Sequence, residues 1–277
     1  MVTATFRFYE ELNDFLAPGR RRREFSVVCA RSATTKHMIE ALGVPHTEVE
    51  LILVNGESAG FDRLLQDGDR VAVYPRFEAL DVTPLLRLRE QPLRVTRFVA
   101  DAHLGGLARL LRMAGFDTLY RNDYGDNEIA DVASHEKRIV LTRDRELLKL
   151  RGITHGCYLH AQKPAQQFRE LLDRLDLTRS LRPFTLCMDC NAPLRAIDKA
   201  QVLDRLPPAV RTNHQRFTTG DLCGRIFWEG THWQRLRALI NDAILASDHS
   251  ERGTPRDHRQ AKGNGDGDRG AGKEPDQ

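Results

Sequence analysis

The chain has 277 residues, of which 40% are hydrophobic and 29% charged, with a formal net charge of +3. That length is more than one compact domain usually needs, and the composition is that of globular protein rather than of a fibrous or wholly disordered chain. No run approaches the roughly 18 apolar residues of a membrane span, the N-terminus has no signal-peptide pattern, and five unevenly spaced cysteines do not read as a disulfide framework, so a cytoplasmic protein is expected.

Residues 1–80 read as a small roll. "TATFRFYEEL" and "RREFSVVCA" are strands about a turn at Pro18 and Gly19. "SATTKHMIEALG" is a short helix capped by Ser32 or Thr34, with Met38, Ile39 and Leu42 on one face and Gly43 as its stop. "EVELILVNG" is a strand closed by Asn55-Gly56 turn chemistry, and "DGDRVAVYP" supplies a last strand. This order predicts a ubiquitin-like β-grasp domain. The arginine run Arg20 to Arg23 falls in its first turn and reads as a solvated loop, with RNA contact as the alternative. Residues 81–93, punctuated by Pro84 and Pro92, read as a linker.

Residues 94–180 alternate strand and helix. "RFVAD", "TLYR", "IVLT" and "GCYLH" are strands. "HLGGLARLLRMAG", "DNEIADVASHEKR", "RDRELLKLRG" and "PAQQFRELLDRLDL" are helices, the last with Phe168, Leu171, Leu172 and Leu175 at helical spacing. Four such repeats imply an α/β domain with a parallel sheet wrapped by helices. Residues 181–245 carry Cys187, Cys190 and Cys223 and end in an amphipathic helix from His232. Residues 246–277 have almost no apolar side chains and are expected to be disordered.

In parallel α/β sheets, ligands bind beyond the carboxyl ends of the strands. Three of those ends carry acids: Asp101; Asp123, Asp126 and Glu128; and Asp144. Taken singly, each reads as a helix cap or a turn residue. Taken together, converging carboxylates would need a cation, and oxygen-rich acidic sites suit Mg2+ or Mn2+. Such an ion supports phosphodiester hydrolysis. Thr142 is placed to hydrogen-bond the acid or a phosphate. Arg143 and Arg145 point in different directions, so at most one is expected to meet substrate phosphate and the other to meet solvent.

Two resemblances sharpen this reading. "ILVNGES" and "LQDGDRVAVYPRFEAL" resemble bacterial sulfur carriers of the ubiquitin fold. Those end in Gly-Gly, which is missing after Tyr74 and Pro75, so a binding or structural module with a protein partner is expected instead of a carrier. "FVADAHLGGLARLLRMAGFDTLYRND", "NEIADVASHEKRIVLTRDRELL", "CMDCNAPL" and "CGRIFWEGTHW" resemble the PIN-like RNase family named after the C-terminal region of the nematode Mut-seven exonuclease. The resemblance implies metal-dependent RNA cleavage with Asp101 and Asp144 in the acidic site. Asp126 is taken as the middle acid, with Glu128 and Asp123 as alternatives. A non-catalytic RNA-binding or adaptor protein is the rival reading.

"CMDC" has the spacing of a zinc knuckle, in which two thiolates grip one ion. The family's second Cys-x-x-Cys pair is reduced here to Gly220 and Cys223. Two outcomes stay open: Zn2+ on Cys187, Cys190 and Cys223 with a fourth ligand from His214, His232, Asp221 or water, or a metal-free ribbon held by Phe217, Ile226, Phe227 and Trp228.

Overall fold

The computed structural model describes residues 1–75, 96–231, 233–235 and 237–242. The expected linker at 81–93, the expected tail at 246–277 and His232 lie outside the described residues.

Alternation in the first strand puts Ala4, Phe6 and Phe8 on one face, and that face becomes the core of the N-terminal domain. The elements are β1 (Val2–Phe8), β2 (Phe25–Cys29), α1 (Thr35–Ala41), β3 (Leu51–Val54), β4 (Glu57–Ser58) and β5 (Arg70–Tyr74). The sheet order is β2-β1-β5-β3-β4, with β1 and β5 parallel at its centre, which is the β-grasp. Met38, Ile39 and Leu42 of the helix segment cover it. The α1 N-terminus is capped by Thr34, whose hydroxyl accepts from His37 N at 3.2 Å. The Asn55-Gly56 turn has φ of +54° and +87°, a twist that folds β4 back on β3 as a short hairpin strand.

The second domain contains β6 (Phe98–Ala100), α2 (Gly105–Met113), β7 (Thr118–Tyr120), α3 (Asp126–Glu136), β8 (Ile139–Thr142), β9 (Gly156–Tyr158) and α4 (Pro164–Arg174). Its sheet is fully parallel in the order β7-β6-β8-β9. Strand alternation feeds two cores. Phe98 and Leu141 pack with Leu107 and Leu111 of α2 and Phe168 and Leu171 of α4. Val99 and Val140 pack with Ile129 and Ala133 of α3. The helix expected in "RDRELLKLRG" is instead one 3₁₀ turn, Leu147–Lys149. The reason is local: Asp144 Oδ1 accepts from Glu146 N at 2.8 Å, so a side chain takes up a backbone donor and sets a turn there.

Both glycines of "LGGL" are close-approach residues. A Cβ on Gly105 would lie 2.6 Å from Tyr120 Oη, and one on Gly106 would lie 2.5 Å from Pro164 Cγ. Their absence lets α2 press on β7 and on the start of α4.

The third module adds β10 (Leu194–Ile197), α5 (Lys199–Val202), α6 (Pro208–Asn213), β11 (Phe217–Gly220) and β12 (Ile226–Trp228). The three strands form an antiparallel meander over Val202, Leu206 and Phe217, joined by Ile226 and Trp228. Residues 233–235 and 237–242 are helical, and Trp233 stacks on Phe184 with centroids 4.6 Å apart.

Each edge of the four-stranded sheet is closed by a neighbouring module, which blunts two otherwise exposed rows of donors. At the β7 edge, Thr118 N donates to Asn191 Oδ1 at 3.1 Å, and buried Arg112 donates to the Thr118 carbonyl at 2.8 Å and the Asp189 carbonyl at 2.7 Å. At the β9 edge, Tyr158 N donates to Glu48 Oε1 at 2.5 Å. Arg174 pairs with Glu48 and donates to the Tyr158 carbonyl at 2.5 Å. His46 reaches the Ile153 carbonyl at 2.9 Å. The ubiquitin-like domain is therefore docked on the α/β domain by buried polar contacts.

Candidate active site at the strand ends

Adjacent parallel strands bring their last residues side by side. Ala100 lies opposite Leu141, so the next residues along, Asp101 and Thr142, are neighbours at the rim. Thr142 Oγ1 donates to Asp101 Oδ2 at 2.6 Å and accepts from Asp144 N at 2.9 Å. One hydroxyl thus orients the first acid and fixes the backbone of the second. Asp101 is only 8% exposed, and its side chain makes no capping hydrogen bond to the 3₁₀ turn it precedes. The bland cap reading therefore does not account for it. Asp144 is exposed, and one of its oxygens serves the Glu146 turn.

The β7 side carries the other acids. Arg121 binds Asp123 through two hydrogen bonds of 2.9 and 2.8 Å, which hold that carboxyl below its ordinary value. Glu128 Oε2 accepts from Gly125 N at 3.0 Å at the start of α3, and its other oxygen lies 3.7 Å from Arg121. Asp126 is exposed in the first turn of α3, with no side-chain hydrogen bond or ion pair among the described residues. Asp123 and Glu128 are thus committed to Arg121 and to the helix start, and Asp126 is the acid left uncommitted.

Asp101, Asp126 and Asp144 do not bring ligand atoms of all three within 4.8 Å of one another. Among the described residues only the three cysteines meet that spacing. At the rim, Thr142 bonds the Asp101 carboxylate and the Asp144 backbone, while Asp126 opens α3 on the β7 side. The donor set suits a hard divalent cation: among the described residues Asp101 has no basic partner and its Oδ1 accepts no hydrogen bond, and Asp144 keeps Oδ2 clear of the Glu146 turn.

Arg143 is exposed and makes no ion pair among the described residues. Arg145 does not turn to bulk solvent. It donates to the Phe15 carbonyl at 3.3 Å and the Asp14 carbonyl at 3.5 Å, and its guanidinium lies over the rings of Phe15 and Tyr158. His103 is exposed beside Asp101. Sequence reasoning missed Arg121, Glu48 and Arg174. Arg174 alone gave a signal, as a charged residue one helical step beyond Leu171 on an apolar stripe.

In the cysteine module, Cys187 and Cys223 sulfurs are 3.6 Å apart. Tetrahedral Zn–S bonds of about 2.3 Å imply sulfur–sulfur edges of about 3.8 Å, so the thiols fit three corners of a zinc site. A Cβ on Gly220 would lie 3.2 Å from both the Cys187 and the Cys223 sulfur, which puts position 220 at the cluster. Burial pushes the Cys187 thiol up to about 11. Burial would also raise Cys190, but hydrogen bonds, first from the Ala192 backbone, outweigh it and hold that thiol below its ordinary value. Three arginines of this module are engaged internally: Arg195 pairs with Asp221, Arg205 donates to the Gly224 carbonyl, and Arg211 donates to the Leu206 carbonyl.

Residues 96–240, more than half of the chain, match the family model described as Mut7-C RNAse domain. The chain belongs to the Mut7-C RNase family. Residues 1–81 match a second model, Mut7-C ubiquitin. The RNase model runs through both the parallel sheet and the cysteine module, as expected of parts joined through Arg112 and Asn191. Membership in the family points to nuclease chemistry with RNA as the substrate class. No curated protein matches the chain. Two crystal structures of small archaeal modifier protein 1 from Haloferax volcanii are similar to it, at 20% and 21% identity and a TM-score of 0.23 each. They cover 28% of this chain and 99% and 100% of their own. Among the described residues no helix is long and apolar enough to cross a membrane.

Proposed function

We propose that this protein is a divalent-metal-dependent ribonuclease that hydrolyses RNA phosphodiester bonds at the rim formed by Asp101, Thr142 and Asp144. The observation that supports the reading is the Thr142 hydroxyl, which bonds the Asp101 carboxylate at one strand end and the Asp144 backbone just past the next. Asp101 and Asp144 hold Mg2+ or Mn2+, with Asp126 as the third acid in preference to Glu128. A bound ion would lower the pKa of its water to supply a nucleophile and stabilise the departing oxygen. Thr142 keeps Asp101 aimed at the rim, and Arg143 contacts the substrate phosphate as a charge-assisted donor. Cys187, Cys190 and Cys223 hold structural Zn2+ beside α2, away from this chemistry.

The test is incubation of the purified chain with labelled single-stranded RNA and Mn2+, beside an Asp144→Asn variant and a chelator control. Ion-dependent cleavage that the variant loses supports the proposal. Equal cleavage by both chains means a contaminating nuclease. Binding without cleavage replaces the enzyme by a non-catalytic RNA-binding or adaptor protein, a role that the spread of the third acid would suit.

A further inference from the structure

We infer that the arginine loop of the ubiquitin-like domain, Arg20 to Arg23, is the second half of the RNA-binding surface, continuous with the acidic rim through Arg145. The inference rests on the proposed RNA-directed site and adds the surface that holds the substrate there.

The loop and the rim meet at one atom. The Asp14 carbonyl accepts from Arg21 Nη2 at 3.4 Å and from Arg145 Nη2 at 3.5 Å, so guanidiniums of two domains converge on one oxygen. Arg145 is one residue beyond Asp144. The path thus runs from Asp101 through Thr142 and the Arg143–Arg145 turn to Asp14 and the arginine loop, with no gap in contacts.

The loop is built rather than loose. Buried Asn13 donates to the Phe8 carbonyl at 3.0 Å and the Glu10 carbonyl at 2.9 Å, and accepts from Arg22 N at 2.6 Å. Arg21 also donates to the Leu16 carbonyl at 2.9 Å, and Arg20 lies over the Phe25 ring. A preorganised set of cations costs less ordering on binding.

The two ends of the rim also differ in charge. On the β7 side Arg121 is spent on Asp123 and Glu128. On the side facing the ubiquitin-like domain, Arg20, Arg21, Arg22, Arg23, Arg143 and Arg145 have no carboxylate partner among the described residues, unlike Arg70 or Arg174. Guanidiniums without a carboxylate partner, carried on a loop whose backbone is held, suit successive phosphates of a single strand, which they bind without reading sequence. The strand would therefore reach the acids from the ubiquitin-like side.

The experiment uses the full chain carrying Asp144→Asn, so that RNA stays intact, and a fluorescent single-stranded oligouridylate. In that background Arg20→Gln, Arg22→Gln and Arg23→Gln are combined, leaving Arg21, which bonds the Leu16 and Asp14 carbonyls; Arg23 also donates to the Gly19 carbonyl, so the lysine variant below controls for its loss. The triple variant should bind roughly 10-fold more weakly and lower the slope of log affinity against log salt by about 2 for three lost phosphate contacts. The matching triple lysine variant should regain the slope, which a misfolded loop would not. Crosslinking with 4-thiouridine RNA should label the segment around residues 20–25. Unchanged affinity and slope overturn the inference and leave the nuclease proposal standing on cleavage by the parent chain. Loss of slope in a protein that never cleaves RNA sinks the nuclease proposal and keeps the binding surface. No RNA binding by either chain overturns both.

Discussion

Thr142 donates its hydroxyl hydrogen to Oδ2 of Asp101 at 2.6 Å, where two neighbouring parallel strands end. The same oxygen accepts from Asp144 N, so valine at 142 would keep the strand and the volume and lose both bonds. Buried Asp101 would then lack the only side-chain donor it has among the described residues. Thr142→Val is expected to fold, to lose about 1–3 kcal/mol of stability, and to cleave RNA roughly 10–100-fold more slowly, the usual cost of losing a partner that orients a metal ligand. Single-turnover cleavage in Mn2+ beside urea unfolding measures both. Cleavage within twofold of the parent would remove Thr142 from the proposed site.

Glu48 and Arg174 join two domains by a buried pair, with side chains 2% and 22% exposed. Glu48→Ala leaves the guanidinium only the looser Glu170 carboxylate at 4.0 Å and leaves Tyr158 N without its acceptor. Breaking a buried pair from one side costs about 3–5 kcal/mol. Urea unfolding should show that loss, with the ubiquitin-like domain separating in an earlier transition of its own. Glu48→Gln, which keeps an acceptor for Tyr158 N, should lose less. A Glu48→Ala chain with the parent's single midpoint would mean that the domains are held by other contacts.

Much of this architecture could be read from the sequence because burial imposes a period. Phe98, Val99 and Ala100, and Ile139, Val140 and Leu141, are buried on both faces, so each wrote an unbroken apolar run, and Phe168, Leu171 and Leu172 wrote a helical stripe. The acids at the strand ends followed from the topology. Three things could not be read. The turn after β8 was hidden because Asp144, by bonding Glu146 N, overrides an otherwise helical pattern. The edge closures were hidden because Glu48 with Tyr158 and Asn191 with Thr118 meet across long sequence separations that no local pattern records. The division of labour among Asp123, Asp126 and Glu128 depended on where Arg121 points, which spacing does not fix.

Asp117 ties the cysteine knuckle to the sheet and should make the fold sensitive to acid. Arg138 reaches its two oxygens at 2.9 and 3.0 Å, and Asn191 donates to it at 2.6 Å. Burial alone would raise this carboxyl, but the hydrogen bonds from Arg138 and Asn191 outweigh it and hold it below its ordinary value. An acid held down in the folded state contributes stability that is complete above its unfolded pKa of about 3.9. That contribution drains away as pH falls through the folded value. Thermal midpoints of the parent should therefore drop between about pH 5 and pH 3. Asp117→Asn should start lower at neutral pH and fall less steeply over that window. Parallel curves for the two chains would remove Asp117 as the acid-sensitive group.

Gly220 decides how firmly the module can hold an ion. Structural zinc is almost always four-coordinate, and this chain offers three thiolates. A side chain at 220 would begin 3.1 Å from the Cys187 Cβ and 3.2 Å from both flanking sulfurs, so Gly220→Cys aims a fourth thiolate into the cluster once those sulfurs give by a few tenths of an ångström. The parent is expected to bind one zinc per chain and surrender it readily to a chromogenic chelator, because its fourth position is left to water or another weak ligand. Gly220→Cys should release zinc more slowly and raise the thermal midpoint of the zinc-loaded chain. Cys223→Ser should do the reverse. Cobalt substitution separates ligation from mere packing, because sulfur-to-cobalt charge-transfer absorbance grows with each thiolate bound. If Gly220→Cys leaves that absorbance and the release rate at the parent's values, position 220 does not face the metal; if the parent shows no such absorbance at all, the ribbon is held by Phe217, Ile226 and Trp228 instead.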